Sequence, residues 1–247
     1  MDVKVQMEIN DNVMKINGIV DDSGNQKVFQ REFVLSNKRN TKSLETDSRD
    51  YQVLANAVKE IKNVPGMICE IGTRRGGSMK VIIDNLLQNQ DYYRNIVCID
   101  PYGNIDYPIG EKENRDSLKL NYTNEMRNEA IPAIYEYVQN KPVNILIQCM
   151  EDTEFFKRFA DGVPFYNEYK IVETNYALVF FDGPHTLEAL LEEIDFYQSR
   201  CVEGSVWVFD DIELYLHDLL EEKLFKHGWE LIEKTSRKAS YRLVKKN

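Results

Sequence analysis

Asp182, His185, Asp210 and Asp211 are the residues of this chain best placed to do chemistry. They lie in the stretch FFDGPHTLEALLEEIDFYQSRCVEGSVWVFDD, residues 180–211. Asp182 and His185 form an Asp-Gly-x-His turn after the apolar run Tyr176–Phe181, and Asp210 and Asp211 follow the run Ser205–Phe209. Three carboxylates are hard oxygen donors suited to a divalent cation such as Mg2+, and an imidazole beside them titrates near neutral pH. An ion held there would bind a hydroxyl or a vicinal diol and lower its pKa, and His185 would take the proton. Each residue also has a structural explanation. Asp-Gly-Pro is good turn chemistry, Asp211 can cap a following helix, and His185 can simply precede one. Their co-occurrence favours a site over separate coincidences.

The elements between them explain how they would converge. Thr186–Tyr197 carries Leu187, Leu190, Leu191 and Ile194 at helical spacing. A strand, a helix and a strand make two parallel neighbours joined by a right-handed crossover. Both acidic ends then fall at the carboxyl edge of a sheet, where open α/β sheets bind ligands. The alternation extends along the chain. Strands are predicted at Met67–Ile71, Ile96–Ile99, Val143–Ile147, Tyr176–Phe181 and Ser205–Phe209, with two late ones at Glu230–Lys234 and Ser240–Lys245. Helices are predicted at Tyr51–Ile61, Gly77–Gln88, Asn124–Gln139, Thr153–Phe159, Thr186–Gln198 and Ile212–Lys226. This predicts an α/β fold with a doubly wound, mostly parallel sheet over residues 46–247. Residues 1–45 differ: Val3, Val5, Met7 and Ile9 alternate with polar residues, and Val13–Val20 and Lys27–Leu35 read as two more strands. They form a small β extension that covers part of the main domain or, alternatively, serves dimerisation or substrate capping. Gly103–Tyr122 is long for a connection, and with the loop around Asp161–Glu173 it is the expected source of substrate contacts.

A second cluster follows the first strand of the main domain. Glu70, Gly72, Thr73, Gly76 and Ser78 belong to EIGTRRGGS, a glycine turn that opens a helix. Glycines let the turn be tight and let a ligand approach the backbone, and the helix start offers free N–H groups. Asp100 ends the next strand, placed to accept hydrogen bonds from ribose hydroxyls. Glycines here also serve packing alone. Glu70 disfavours a pyrophosphate and suits a ligand with a cationic amino-acid end, and Arg74 stands where a dinucleotide fingerprint has glycine.

EIGTRRGGS, Cys98-Ile99-Asp100 and residues 180–211 together resemble a class I S-adenosylmethionine-dependent methyltransferase with a seven-stranded, Rossmann-like sheet. More narrowly, they resemble the metal-dependent O-methyltransferases acting on sugars of macrolide and aminocoumarin antibiotics, with the cephalosporin-hydroxylase-like proteins as relatives. The similarity runs from about Tyr51 to Asp211. It implies S-adenosylmethionine and Mg2+ or another divalent cation as cofactors. Gly72 and its turn, with Glu70, would hold the methionine part, Asp100 the ribose, and Met150 and Glu151 the adenine. Asp182, Asp210 and Asp211 would be metal ligands, with Asp182 also beside the cofactor, and His185 the general base. Members with an acid two residues after the first ligand differ, since that position is Pro184 here.

Composition narrows the partners. The net charge is −10 over 247 residues, which disfavours a broad grip on nucleic acid. No run approaches a membrane span, and MDVKVQMEIND has no apolar signal-peptide core. Cys69, Cys98, Cys149 and Cys201 show no C-x-x-C spacing and fit buried thiols in a reducing cytoplasm. The acidic run Glu188–Asp195 reads as a solvated helix face, Trp207 as core, and His217 and His227 as surface or packing residues. The expected function is O-methylation of a small-molecule hydroxyl, a sugar or glycosylated metabolite first, in a cytoplasmic enzyme whose family is compatible with self-association. The alternatives are a catechol-type O-methyltransferase, a non-catalytic S-adenosylmethionine-binding partner, and last a nicotinamide oxidoreductase.

Overall fold

A computed structural model describes residues 44, 48–103, 105–107, 120–166, 169–183 and 186–245, together with three strands before them. The chain divides into two compact units, Met1–Thr41 and Lys42–Asn247. The first holds β1 (Val5–Asn10), β2 (Val13–Ile19) and β3 (Val28–Val34), paired antiparallel in that order.

The second unit opens with α1 (Tyr51–Glu60), β4 (Met67–Ile71), α2 (Gly77–Gln88) and β5 (Asn95–Ile99). Two short strands, β6 (Ile105–Tyr107) and β7 (Leu120–Tyr122), pair within the long connection that follows. Then come α3 (Asn124–Val138), β8 (Asn144–Gln148), α4 (Asp152–Arg158) and the hairpin β9 (Val163–Tyr166) with β10 (Lys170–Glu173). The chain continues with β11 (Tyr176–Phe181), α5 (Leu187–Gln198), β12 (Cys201–Phe209), α6 (His217–Lys226), β13 (Trp229–Lys234) and β14 (Ala239–Leu243). Seven of these strands form one sheet in the order β13-β14-β12-β11-β4-β5-β8. The five from β12 to β8 are parallel, and β14 and β13 run antiparallel at one side.

Successive strand residues point to opposite faces, so each face collects its own core. One is largely aliphatic and packs Ile68, Ile96 and Val206 against Val53, Leu54 and Val58 of α1, Met79 and Ile82 of α2, and Ile134 of α3. The other is aromatic and meets Phe155 of α4, Ile194 and Tyr197 of α5, and Leu220 and Leu224 of α6. On that face the Phe181 and Phe209 rings stack at 4.6 Å, and Trp207 and Trp229 at 3.7 Å. Such stacks add roughly 0.5–1.5 kcal/mol beyond the area they bury. Among the described residues no helix is long and apolar enough to cross a membrane.

Several sequence expectations shift. β12 begins at Cys201 rather than Ser205, because the register slips between Tyr176 and Leu178 and the Ser205 hydroxyl donates to the Tyr176 carbonyl at 2.7 Å. α6 begins at His217 rather than Ile212. Asp211 is left-handed, at φ 47°, and the helix cap is Leu216, so Asp211 is not the cap. His217 is buried and its Nε2 meets the Tyr241 hydroxyl at 2.8 Å. Cys149 is exposed while the other three thiols are buried.

The acidic run on α5 is not wholly solvated, because Glu193 turns inward and is buried. Burial, then the nearby Asp152 carboxyl, pushes its pKa well above the usual carboxylate range. An unfolded glutamate titrates near about 4.3. The folded state therefore keeps this proton to higher pH than the unfolded chain. The stability linked to it is fully present below about 4.3 and is lost as pH rises through the folded value. Glu193→Gln is expected to be near neutral at about pH 4 and to raise the melting temperature at about pH 8, read by thermal denaturation at both.

Candidate active site at the carboxyl edge of the sheet

Sheet register aligns the candidate residues. Phe209, Phe181, Ile71, Ile99 and Gln148 are successive cross-strand partners on β12, β11, β4, β5 and β8. The residue after each is Asp210, Asp182, Gly72, Asp100 and Cys149. They form one row with neighbours about 4.8 Å apart. Backbone bonds continue past the strand ends: Asp182 N–H donates to Ile71 O, Asp210 N–H to Phe181 O, and Gly72 N–H to Ile99 O.

Around β4 and β5 the row makes a cradle. Gly72 has φ +88°, and a Cβ there would lie 1.9 Å from the Asp182 carbonyl oxygen. Glu70 is buried on β4 and accepts from the Ser78 hydroxyl at 2.5 Å, which ties the strand to the start of α2. Gly76, at φ +76°, is the α2 cap and makes no side-chain capping bond. Thr73 is buried, its hydroxyl beside the Cys98 thiol without an aligned hydrogen bond. Asp100 is buried and accepts from Arg74 N–H at 2.7 Å and Tyr102 N–H at 2.9 Å. Burial raises its pKa to about 6, with the amide bonds of Arg74, Tyr102 and Thr73 opposing. A carboxylate has about four acceptor sites, so with these three amide bonds about one remains for a ligand hydroxyl. The Tyr102 hydroxyl donates to the Arg74 carbonyl at 2.7 Å, so Tyr102 braces the turn. Met150 packs against the aromatic core, and Glu151 is the exposed cap residue of α4 with no capping bond. Arg74 and Tyr102 are left-handed, and backbone strain of this kind concentrates at functional sites.

The other end of the row differs from the expected metal centre. Asp182 and Asp210 sit on adjacent strands, as predicted, while Pro184 and His185 lie outside the described residues. The Lys238 ammonium lies 2.6 Å from Asp210 Oδ2, with both side chains fully buried. The angle makes this an ion pair rather than an aligned hydrogen bond. Asp210 Oδ1 accepts from Asp211 N–H at 2.7 Å and from the Ser48 hydroxyl at 3.2 Å. Asp211 is ion-paired to the Arg237 guanidinium, whose Nε also lies 3.3 Å from Glu213. Burial lowers the Arg237 pKa, but the Asp211 hydrogen bond and the surrounding carboxylates outweigh it and hold it above the usual value. Among the described residues no three His, Cys, Asp or Glu side chains form a group that could hold a metal. Asp182, Asp210 and Asp211 were the expected divalent-ion ligands; here the carboxylates of Asp210 and Asp211 face two cations of the chain itself.

Ser48, Arg237 and Lys238 are the residues that the sequence did not single out. The signal for the last two is a pair of cations in the turn before a strand that returns antiparallel to the one ending in Asp210. A cleft of about 640 Å3 reaches the start of the same turn, lined by Ile212, Leu216, His217, Lys234 and Thr235 among others.

The profile of a family described as a methyltransferase domain matches residues 69–212, more than half of the chain. No curated protein matches the sequence. Among solved structures, the O-methyltransferase NovP aligns over 79% of each chain with 19% identity and a TM-score of 0.54. CalS11, a calicheamicin methyltransferase, aligns over 78% of each chain with 16% identity and a TM-score of 0.51. At these identities the likeness is one of fold.

The closure at Gly72 gives a sharp test. Gly72→Ala meets a disfavoured backbone angle and a backbone clash together, and is expected to lose on the order of 3 kcal/mol in urea unfolding. Gly76→Ala has the same kind of backbone angle, but its Cβ would meet only side-chain atoms of Ile134 and Leu44, and it should lose less.

Proposed function

Because this chain belongs to the methyltransferase-domain family and is a class I S-adenosylmethionine-dependent methyltransferase, we propose that it methylates a hydroxyl oxygen of a small molecule, with a sugar or glycosylated metabolite as the first acceptor class. The observation that carries this reading is the single row from Asp100 through Gly72 to Asp182 and Asp210 at the strand ends. It gives a cofactor cradle and a polar reaction edge side by side. Oxygen as the acceptor atom is supported by the printed name of NovP. The sugar class rests on the sequence resemblance.

S-adenosylmethionine supplies a methyl group on a positively charged sulfur. The chain's residues do the rest. The Gly72 turn admits the ligand against bare backbone, and Glu70 provides negative charge beneath a cationic amino-acid end. Asp100 accepts from a ribose hydroxyl at the acceptor site its amide bonds leave open. Met150 and Glu151 flank the adenine position. His185 takes the proton from the acceptor hydroxyl as the oxygen attacks the methyl carbon in line, where alignment supplies much of the rate.

Calorimetry with S-adenosylhomocysteine tests the cofactor half. One-to-one binding is expected, and a folded sample that instead binds NADH would overturn it. Affinity should fall by up to about tenfold from about pH 7 to about pH 5 as Asp100 gains its proton. Asp100→Asn should weaken binding at about pH 7 and flatten that dependence. Once sugar and catechol acceptors have been screened, His185→Ala should cut turnover by roughly 10²–10⁴-fold while sparing cofactor affinity.

A further inference from the structure

We propose that Lys238 and Arg237 occupy the role a divalent ion would play at the Asp210–Asp211 pair, so that this chain works without a metal. The inference rests on the methyltransferase reading for its consequence, but its geometry stands apart from it.

Two adjacent carboxylates, one fully buried, need two positive charges close by. A divalent ion would supply both at once. Here two monovalent side chains do so, one on each acid. Lys238 pairs with Asp210 at 2.6 Å, donates to the Ser48 hydroxyl at 2.6 Å, and lies over the Tyr51 ring at 4.6 Å. Ser48 in turn donates to the other oxygen of Asp210. Lys238, Ser48 and Asp210 thus close a ring of contacts that occupies both oxygens of Asp210. Arg237 hydrogen-bonds Asp211 in a partly exposed pair, and its Nε also faces Glu213.

The cations are held by a built turn. Thr235 N–H donates to the Lys238 carbonyl at 2.8 Å, and the Thr235 hydroxyl accepts from Lys238 N–H at 3.0 Å and from Arg237 N–H at 3.2 Å. Ile212 N–H donates to the Arg237 carbonyl at 3.0 Å, which fastens the turn to the loop bearing Asp211. An incoming ion would have to expel a fully buried ammonium and leave it unpaired, which buried charges resist. Lys238 and Arg237 are positioning residues here: they hold the acids and do not touch the reacting atoms.

The reaction balances without a Lewis acid. The acceptor O–H proton passes to a base, the oxygen lone pair forms the O–C bond, and the C–S electron pair returns to sulfur, leaving a neutral thioether. Activation of the hydroxyl then rests on proton removal alone.

Mn2+ is the probe, followed through its free-ion paramagnetic resonance signal in the full chain. Wild type is expected to leave millimolar Mn2+ free, and its S-adenosylhomocysteine affinity should change less than twofold on adding EDTA. The double variant Arg237→Met with Lys238→Met should gain Mn2+ affinity at least tenfold. One-to-one Mn2+ binding to wild type, weakened tenfold or more by Asp211→Asn, would overturn the proposal. The wild-type measurement decides even if the double variant does not fold. Absence of S-adenosylhomocysteine binding would instead remove the functional reading, and the Mn2+ result would still decide the cation assignment.

Discussion

The approach of Gly72 to the Asp182 carbonyl is the contact on which the edge of the sheet depends. With no Cβ at Gly72, β4 and β11 stay in register to their last residues and the chain still turns away above them. That seats Asp182 beside Asp210 on one side and directs the turn toward Asp100 on the other, where the Arg74 amide completes the bend. Any side chain at this position would part the two strands where the chemistry needs them together.

Packing carries the antiparallel hairpin to the same place. Trp229 on β13 stacks on Trp207 of β12, and its Nε1 donates to Gln198 at the end of α5 at 2.8 Å. The Tyr241 hydroxyl on β14 donates to Glu221 of α6 at 2.7 Å and also meets His217. The hairpin is therefore fixed by aromatic surface on one face, and its turn falls beside the end of β12. The charged turn reaches the acids because a buried aromatic layer holds it there.

The central strands and most helices were legible because short apolar runs bounded by polar turns leave little choice of element. Asp182, Gly72 and Asp100 were legible because parallel strands separated by crossovers share one edge. The start of α6 was not, because the left-handed Asp211 and the turn after it carry the same apolar spacing as a helix. Glu193 was hidden inside an acidic run, where only the angle of the helix on the sheet decides which carboxyl turns inward. The pairing of Asp210 with Lys238 and Ser48 was beyond a sequence reading. Ser48 lies 190 positions from Lys238, and the packing of α1 against β12 and β14 brings them together.

The position of β14 has a consequence for the order in which the sheet is built. It lies between β12 and β13, although it follows both in the chain. As synthesis proceeds from the N-terminus, β12 can dock on β11 while its outer edge still shows bare amide and carbonyl groups, a surface that invites pairing with another chain. β13 cannot cover that edge directly, because its partner in the sheet is β14. The strand Ala239–Leu243 closes the gap, and the turn just before it delivers the counter-charge to Asp210. Emergence of this segment from the ribosome therefore ends both the exposure of the edge and the period in which the buried acid has no counter-charge.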